Sequence, residues 1–192
     1  MAAPVLVLAS ASPRRAAILT ALGIPFRTVT PAVDETLLPG EAGAAAAERL
    51  ARAKAGAAGP QDLPVLAADT LVVCDGAVLG KPADPQDAIR MLRLLSGRTH
   101  QVVTGVCLAR GGDVRSGVET TEVTFASMTG AEIAWYVATG EPMDKAGGYH
   151  VDGRGALFVS AVSGSPSNVA GLPVRLVLSL ARQAGLGWGG KA

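Results

Sequence analysis

Hydrophobic positions in this chain fall into short continuous runs that alternate with stretches of helical period. Val5 to Ala9 has the length and valine content of a buried strand, and Phe26 to Thr30 reads as a second strand. Between them the apolar spacing of Ala16 to Leu22 predicts a helix, stopped by Gly23 and Pro25. Ser12 is placed to cap that helix, with Pro13 at its first position. Pro31 to Gly40 reads as a loop carrying Asp34 and Glu35, and Ala42 to Ala58 as an alanine-rich helix bearing Glu48, Arg49, Arg52 and Lys54. Val65 to Cys74 and Ala77 to Leu79 predict a hairpin turned by Asp75-Gly76.

The second half continues the alternation. Asp84 starts a helix, with Asp87 forming an approximate capping box and Ile89, Met91, Leu92, Leu94 and Leu95 its apolar face, ended by Ser96-Gly97. His100 to Ala109 and Val118 to Ser127 read as strands paired around Gly111-Gly112-Asp113. Thr129 caps a helix over Ala131 to Ala138, with Glu132 on its first turn. Gly140 to Gly155 is a charged, glycine-rich loop, Ala156 to Val162 a strand, Gly164 to Pro173 a second loop, and Val174 to Ala184 a closing helix. The class is α/β. No linker divides the chain, so one two-lobed domain over residues 1–192 is expected.

Composition narrows the function classes. With 49% hydrophobic and 17% charged residues the chain can bury a full core, and with 4% aromatics that core is expected from Val, Leu, Ile and Ala. The net charge is +1 and no basic block exceeds Arg14-Arg15, which argues against nucleic acid and leaves a small anionic ligand open. Cys74 and Cys107 lie in apolar runs and read as small buried hydrophobes. No CxxC or His/Cys cluster suggests zinc. The first apolar run is short and lacks preceding basic residues, and no segment reaches about 18 apolar residues. A soluble, cytoplasmic protein that does not enter membranes is expected.

Four features could carry chemistry. Ser10-Ala11-Ser12-Pro13-Arg14-Arg15 leads from a strand into a helix, where unpaired N–H groups, two hydroxyls and two guanidiniums suit a phosphate. An ordinary capped helix with exposed arginines would show the same residues. Asp69 and Thr70 interrupt an apolar strand; the carboxylate either faces a cleft or makes local hydrogen bonds at a strand edge. Together with Asp34-Glu35 it offers carboxylates of the kind that hold Mg²⁺ alongside substrate phosphates. Arginine far outnumbers lysine, so Lys54, Lys81, Lys145 and Lys191 are worth reading singly; Lys81 and Lys145 sit in tight Gly/Pro loops, although any one could be a surface charge. Gly164-Ser165-Pro166-Ser167-Asn168 reads as a turn with a capping residue. His100 and His150 lack metal-ligand spacing, and the absence of GxSxG gives no support to a covalent hydrolase.

Taken in order, eight segments resemble the Maf family of nucleotide pyrophosphatases. They are Ser10–Arg15, Asp34-Glu35, Leu50–Ala55, Ala68-Asp69-Thr70, Gly80-Lys81-Pro82, Leu95–His100, Glu141–Gly147 and Val169–Pro173, and the likeness runs from about Val5 to Leu180. The resemblance implies a mixed twisted α/β sheet flanked by helices, with two lobes around a deep nucleotide-binding cleft. It also implies a divalent metal, Mg²⁺ or Mn²⁺, and hydrolysis of the α–β phosphoanhydride of nucleoside triphosphates. Family members are often dimers, which makes a homodimer an expectation here. By the same resemblance Asp69 is the catalytic base, Glu35 binds metal or the attacking water, with Asp69 a second metal ligand, and Arg14, Lys54 and Lys81 hold the triphosphate. Lys81 also enters the catalytic set, with Ser10, Ser12, Arg15, Thr70, Lys145 and Asp152 as further substrate contacts.

Arg14 and Thr70 match the branch preferring dTTP and UTP, but Asp152 stands where that branch has Gln. A Gln amide can donate to O4 and accept from N3–H of the pyrimidine; an ionised Asp only accepts. Thymine and uracil are the leading expectation, with other or modified bases as the alternative. An inosine/xanthosine triphosphate pyrophosphatase is the nearest enzymatic alternative, lacking the Ser-Pro-Arg-Arg and Ala-Asp-Thr pieces as they stand here. A non-catalytic nucleotide sensor regulating cell division belongs to a different class; metal-dependent release of pyrophosphate separates the two.

Overall fold

The computed structural model describes residues 3–187, so Lys191 lies outside the described residues. Seven strands form a mixed sheet in the order β2-β1-β3-β5-β6-β7, with β4 paired to β3. These are β1 (Leu6–Ala9), β2 (Phe26–Val29), β3 (Val65–Cys74), β4 (Ala77–Leu79), β5 (Thr99–Arg110), β6 (Asp113–Phe125) and β7 (Val159–Ser163). The helices are α1 (Pro13–Ala21), α2 (Gly43–Ala57), α3 (Pro85–Leu95), α4 (Gly130–Ala138), α5 (Pro166–Val169) and α6 (Val174–Gln183). No described helix is long and apolar enough to cross a membrane.

The chain divides into two compact units. The first takes the described residues up to Asp69, then Thr104–Glu119 and those from Gly171 onward; the second takes Thr70–Val103 and Thr120–Ala170. In the first, β1 pairs in parallel with both β2 and β3. A strand alternates its side chains, and β1 shows this cleanly. Leu6 and Leu8 pack with Leu66, Ala68, Leu19 of α1 and Val177 and Leu180 of α6. Val7 and Ala9 pack on the other face with Val65, Ala67, Cys107 and Ala51 and Ala55 of α2. Burial on both faces explains why these strands read as continuous apolar runs.

The alanine content of α2 has a steric cause. A Cβ at Gly105 of β5 would lie 2.2 Å from the Ala47 carbonyl oxygen, so the helix backbone rests directly on the sheet. Ala46, Ala47, Leu50, Ala51, Lys54 and Ala55 are buried along this helix, and Lys54 therefore lies on its core stripe.

The second unit holds a core of Val72, Leu92, Leu95, Phe125, Tyr136, Tyr149 and Phe158 among others. The few aromatic rings concentrate here, with Phe125 edge-on to His100 and Tyr149 at 4.9 and 4.8 Å. The expectation of a core without aromatics thus describes the first unit only. Both cysteines are buried free thiols, and burial pushes Cys107 up to about 11.

Four stretches differ from the pattern-based reading, one of them residues 164–173, where Ser165 caps the short helix α5 through a bond from Asn168 N–H. β6 begins at Asp113 rather than Val118, because Gly111 and Gly112, with φ of 54° and 91°, make a tight turn that sends the polar Asp113–Gly117 segment straight into the strand. Gly140–Gly155 is not featureless but holds 3-10 turns at Glu141–Asp144 and Ala146–Gly148. A third such turn, Arg154–Phe158, delays β7 to Val159. Asp84 caps α3 as expected, yet Asp87 reaches back to the Ala83 N–H rather than completing the box.

Candidate active site

Alternation along β3 decides where Asp69 points. Val65 and Ala67 face α2, so Asp69, two residues on, faces it too, and the helical stripe of α2 brings Lys54 to meet it. The Lys54 ammonium lies 2.5 Å from Asp69 Oδ1 and 2.6 Å from Glu35 Oε1. Lys54 and Asp69 are nearly buried, whereas Glu35 enters from the exposed loop after β2. Burial pushes the Asp69 carboxyl above its ordinary range, and Lys54 and Arg15 pull it partly back.

A second set of groups gathers at the end of β1. Ser10 follows the strand directly, and its hydroxyl accepts from Ser12 N–H at 3.1 Å and from Arg15 Nη1 at 3.1 Å. Ser12 caps α1 through a long 3.5 Å bond from Arg15 N–H, with Pro13 at the first helical position. Arg15 is buried, and its Nε also donates to the Gly171 carbonyl at 2.8 Å. It ties α1 to the loop before α6 and adds a fixed positive charge toward Asp69 and Glu35. Arg14, one residue earlier, is half-exposed.

These groups sit where an open α/β sheet places ligands. The chain leaves β1 through α1 to β2 on one side, then returns through α2 to β3 on the other, on the opposite face. Ser10 at the carboxyl end of β1, and Asp69 of β3 two residues past the last β1–β3 partners Ala9 and Ala67, flank that switch point. Two carboxylates held to one ammonium form a hard-oxygen donor set. It would suit Mg²⁺ or Mn²⁺, hard cations that bind one or two carboxylates alongside phosphates and water, better than it would suit zinc. No group of three or more His, Cys, Asp or Glu side chains able to hold a metal occurs among the described residues.

The remaining predicted residues belong to the second unit. Thr70 follows Asp69 on β3 and is half-buried. Lys81 is exposed, in a loop anchored where Gly80 O accepts from Gly147 N–H at 2.9 Å. Lys145 is half-buried and paired with Asp144. Asp152 is exposed on the turn between the second and third 3-10 segments.

Two residues of this unit carry more structure than their sequence context suggested. Asn168, fully buried, donates from Nδ2 to Val102 O at 2.9 Å and Thr121 Oγ1 at 3.0 Å. Glu141 accepts from the Tyr136 hydroxyl and from two backbone N–H groups, those of Arg154 and Gly155. Burial pushes the Glu141 carboxyl up, but the Arg154 and Gly155 N–H groups and the Tyr136 hydroxyl hold it below the usual glutamate range. A Glu-Pro pair in a glycine-rich stretch is also what a solvated turn looks like, and it is the fold that brings Tyr136, Arg154 and Gly155 onto Glu141.

The family model described as "Maf-like protein" matches residues 5–184. The chain belongs to the Maf family. Curated members similar to it include a dTTP/UTP pyrophosphatase of Anaeromyxobacter dehalogenans, 52% identical over 95% of both chains. Another from Symbiobacterium thermophilum is 48% identical over 94% of both, and one from Moorella thermoacetica is 53% identical over 88% of this chain and 89% of its own. Among solved structures, the Staphylococcus aureus Ham1 protein covers 93% of this Maf-family chain and 98% of its own, with a TM-score of 0.55 and 15% identity. That likeness concerns the fold alone.

Proposed function

We propose that this Maf-family chain hydrolyses the α–β phosphoanhydride of dTTP and UTP, releasing the nucleoside monophosphate and pyrophosphate. The observation that carries this reading is the Glu35–Lys54–Asp69 cluster beside the serine-bearing N-terminus of α1. The printed activity of the relatives supports the same substrates.

The reaction asks for these groups. A triphosphate repels an incoming hydroxide, so its charge must be offset before water can add to phosphorus. Lys54 and the α1 N-terminus with Ser10, Ser12 and Arg14 supply positive charge and hydrogen-bond donors there, and the buried Arg15 reinforces the field. Asp69 takes the proton of the attacking water, a contribution of about 10²–10⁴-fold for such a base. The P–O bond to the leaving pyrophosphate breaks as the new one forms. Glu35 and Asp69 would hold the divalent metal, which supplies further positive charge against the phosphate oxygens. Burial shifts Asp69 in the direction its role asks for, because a carboxyl with a raised pKa accepts protons more readily.

Lys81 and Lys145 are assigned to the leaving phosphates, Thr70 to a substrate hydrogen bond, and Asp152 to the base. An ionised Asp152 accepts from N3–H of uracil or thymine. The test is pyrophosphate release from a panel of standard and modified nucleoside triphosphates with Mg²⁺, Mn²⁺ or EDTA. Turnover concentrated on dTTP and UTP, and lost with EDTA, supports the proposal. Turnover concentrated on another base keeps the chemistry and moves the substrate, with Asp152 as the residue responsible. No turnover on any nucleotide favours a binding-only sensor.

A further inference from the structure

We infer that Glu141 is a positioning residue for base selection, because its carboxylate is the template around which the turn carrying Asp152 is folded. This inference rests on the proposed reading of the base by Asp152.

The contacts converge from both sides of the turn. The Tyr136 hydroxyl donates to Glu141 Oε1 at 2.9 Å, the Gly155 N–H donates to the same oxygen at 3.1 Å, and the Arg154 N–H donates to Oε2 at 3.1 Å. The Tyr136 oxygen in turn accepts the His150 N–H at 3.0 Å. Backbone groups at 150, 154 and 155 are thus fixed by one carboxylate and one phenol, and Asp152 is carried between them. The glycines confirm how closely the chain wraps. A Cβ at Gly153 would lie 2.7 Å from Glu141 Oε2, and one at Gly155 would lie 2.7 Å from the Tyr136 hydroxyl oxygen. Tyr136 is itself fully buried and packed edge-on with Phe158 at 5.4 Å, which anchors the phenol in the core of this unit.

Glu141 also heads the 3-10 turn that leads to Lys145, whose N–H donates to Pro142 O at 3.1 Å. That link is backbone to backbone and leaves the Glu141 carboxylate out, so the side chain's own contacts bear on the turn carrying Asp152 and not on Lys145.

The chemistry of the site requires a carboxylate. Three donors point at two oxygens, and Glu141→Gln replaces one acceptor by an NH₂ that must face a donor. The turn then loses at least one hydrogen bond while side-chain volume is unchanged. Tyr136→Phe removes a single oxygen from the same network and keeps the ring packing.

The experiment compares wild type, Glu141→Gln and Tyr136→Phe in two readouts, equilibrium binding and amide hydrogen exchange. The ligands are UMP and CMP, which differ at the ring edge that Asp152 would face, and inorganic tripolyphosphate, which has no base. The expected result is a wild-type preference between UMP and CMP that falls roughly tenfold in Glu141→Gln. Tripolyphosphate affinity should stay within about twofold, and exchange should accelerate at the Arg154 and Gly155 amides. Tyr136→Phe should shift both readouts in the same direction by less. Equal loss of affinity for all three ligands, an unchanged UMP/CMP ratio, or a wild type that does not distinguish the two would overturn the inference. These readouts need no turnover, so an inactive wild type with the expected binding pattern would count against the pyrophosphatase reading alone.

Discussion

Lys54 and Asp69 form a nearly buried ion pair, Nζ to Oδ1 at 2.5 Å, between the core stripe of α2 and the last residue of β3 in the first unit. Its two ends differ in what their removal leaves behind. Asp69→Asn keeps shape and leaves Lys54 facing Glu35 at 2.6 Å, so the protein should fold normally while turnover of dTTP falls by about 10²–10⁴-fold. Lys54→Met strands a buried carboxylate and should cost about 3–5 kcal/mol in urea denaturation at neutral pH, besides its effect on turnover. Near-full activity in Asp69→Asn would exclude Asp69 as the base.

The pH dependence follows from the same pair. Burial raises Asp69 above its ordinary value near 3.8, and Lys54 lowers it. The base must be ionised, so the acid limb of kcat/KM should lie above that value in wild type and move further up in Lys54→Met, where the lowering influence is gone. The stability contribution has the matching sign. A raised folded pKa favours the folded state below the unfolded value, and this advantage is lost as pH rises through the folded pKa. Asp69→Asn should therefore flatten that part of the stability profile, measurable by denaturation from pH 3 to 7. An acid limb that does not move in Lys54→Met would assign it to another group.

Metal binding should depend on nucleotide. In the structure Asp69 Oδ1 and Glu35 Oε1 both contact the Lys54 ammonium, which competes with a cation for the same oxygens. Mn²⁺ titrated alone and followed by its electron paramagnetic resonance signal should remain largely free. A non-hydrolysable dTTP analogue should raise the bound fraction, because its phosphates give Lys54 another anion and the metal further oxygen ligands. Tight Mn²⁺ binding without nucleotide would show that Lys54 does not oppose the metal.

The first unit was legible to a large degree because its periodicities are unmixed. Continuous apolar runs gave β1 and β3, and Ser12-Pro13 gave the start of α1. The hairpin from Val65 to Leu79, whose turn and second strand belong to the second unit, also has the predicted ends, since Asp75-Gly76 permits the positive φ that both residues adopt. Asp69, Glu35 and Lys54 were named as functional candidates and are found in contact. The structural half of Arg15 was not legible, since a buried guanidinium bonded to Gly171 O depends on a residue 156 positions away. The same holds for Glu141, whose partners at 136, 154 and 155 lie on separate segments. Short 3-10 turns also escaped, because they have no apolar period and are built from glycine-permitted bends such as Gly147, with φ of 69°.

Gly105 tests whether close packing of α2 holds Lys54 in place. A Cβ there would penetrate the Ala47 carbonyl at 2.2 Å, and its contact is backbone, which cannot rotate away. Gly105→Ala must push α2 off the sheet and should destabilise by about 3 kcal/mol, at the upper end for overpacking. Turnover should fall beyond what the folded fraction explains, because the displaced helix carries Lys54 away from Asp69. A variant with full specific activity per folded molecule would show that the pair tolerates this movement.

His100 makes stability of the second unit sensitive to acid. It is fully buried, with Nε2 at 2.9 Å from the Tyr149 hydroxyl and no hydrogen-bond partner at Nδ1 among the described residues. Burial lowers its pKa from 6.5 to about 4, so the imidazole stays neutral in the folded protein where the unfolded chain is already protonated. A depressed folded pKa gives stability that is present above the unfolded value and lost as pH falls through the folded one. Wild type should lose up to about 3 kcal/mol on this account between roughly pH 6.5 and 4. His100→Gln removes the titration and should be less stable than wild type at pH 7.5, with the gap narrowing as pH falls through that window. Urea denaturation at pH 7.5, 6 and 4.5 measures it, and a gap independent of pH would mean that protonation of the unfolded His100 is not what acid exploits.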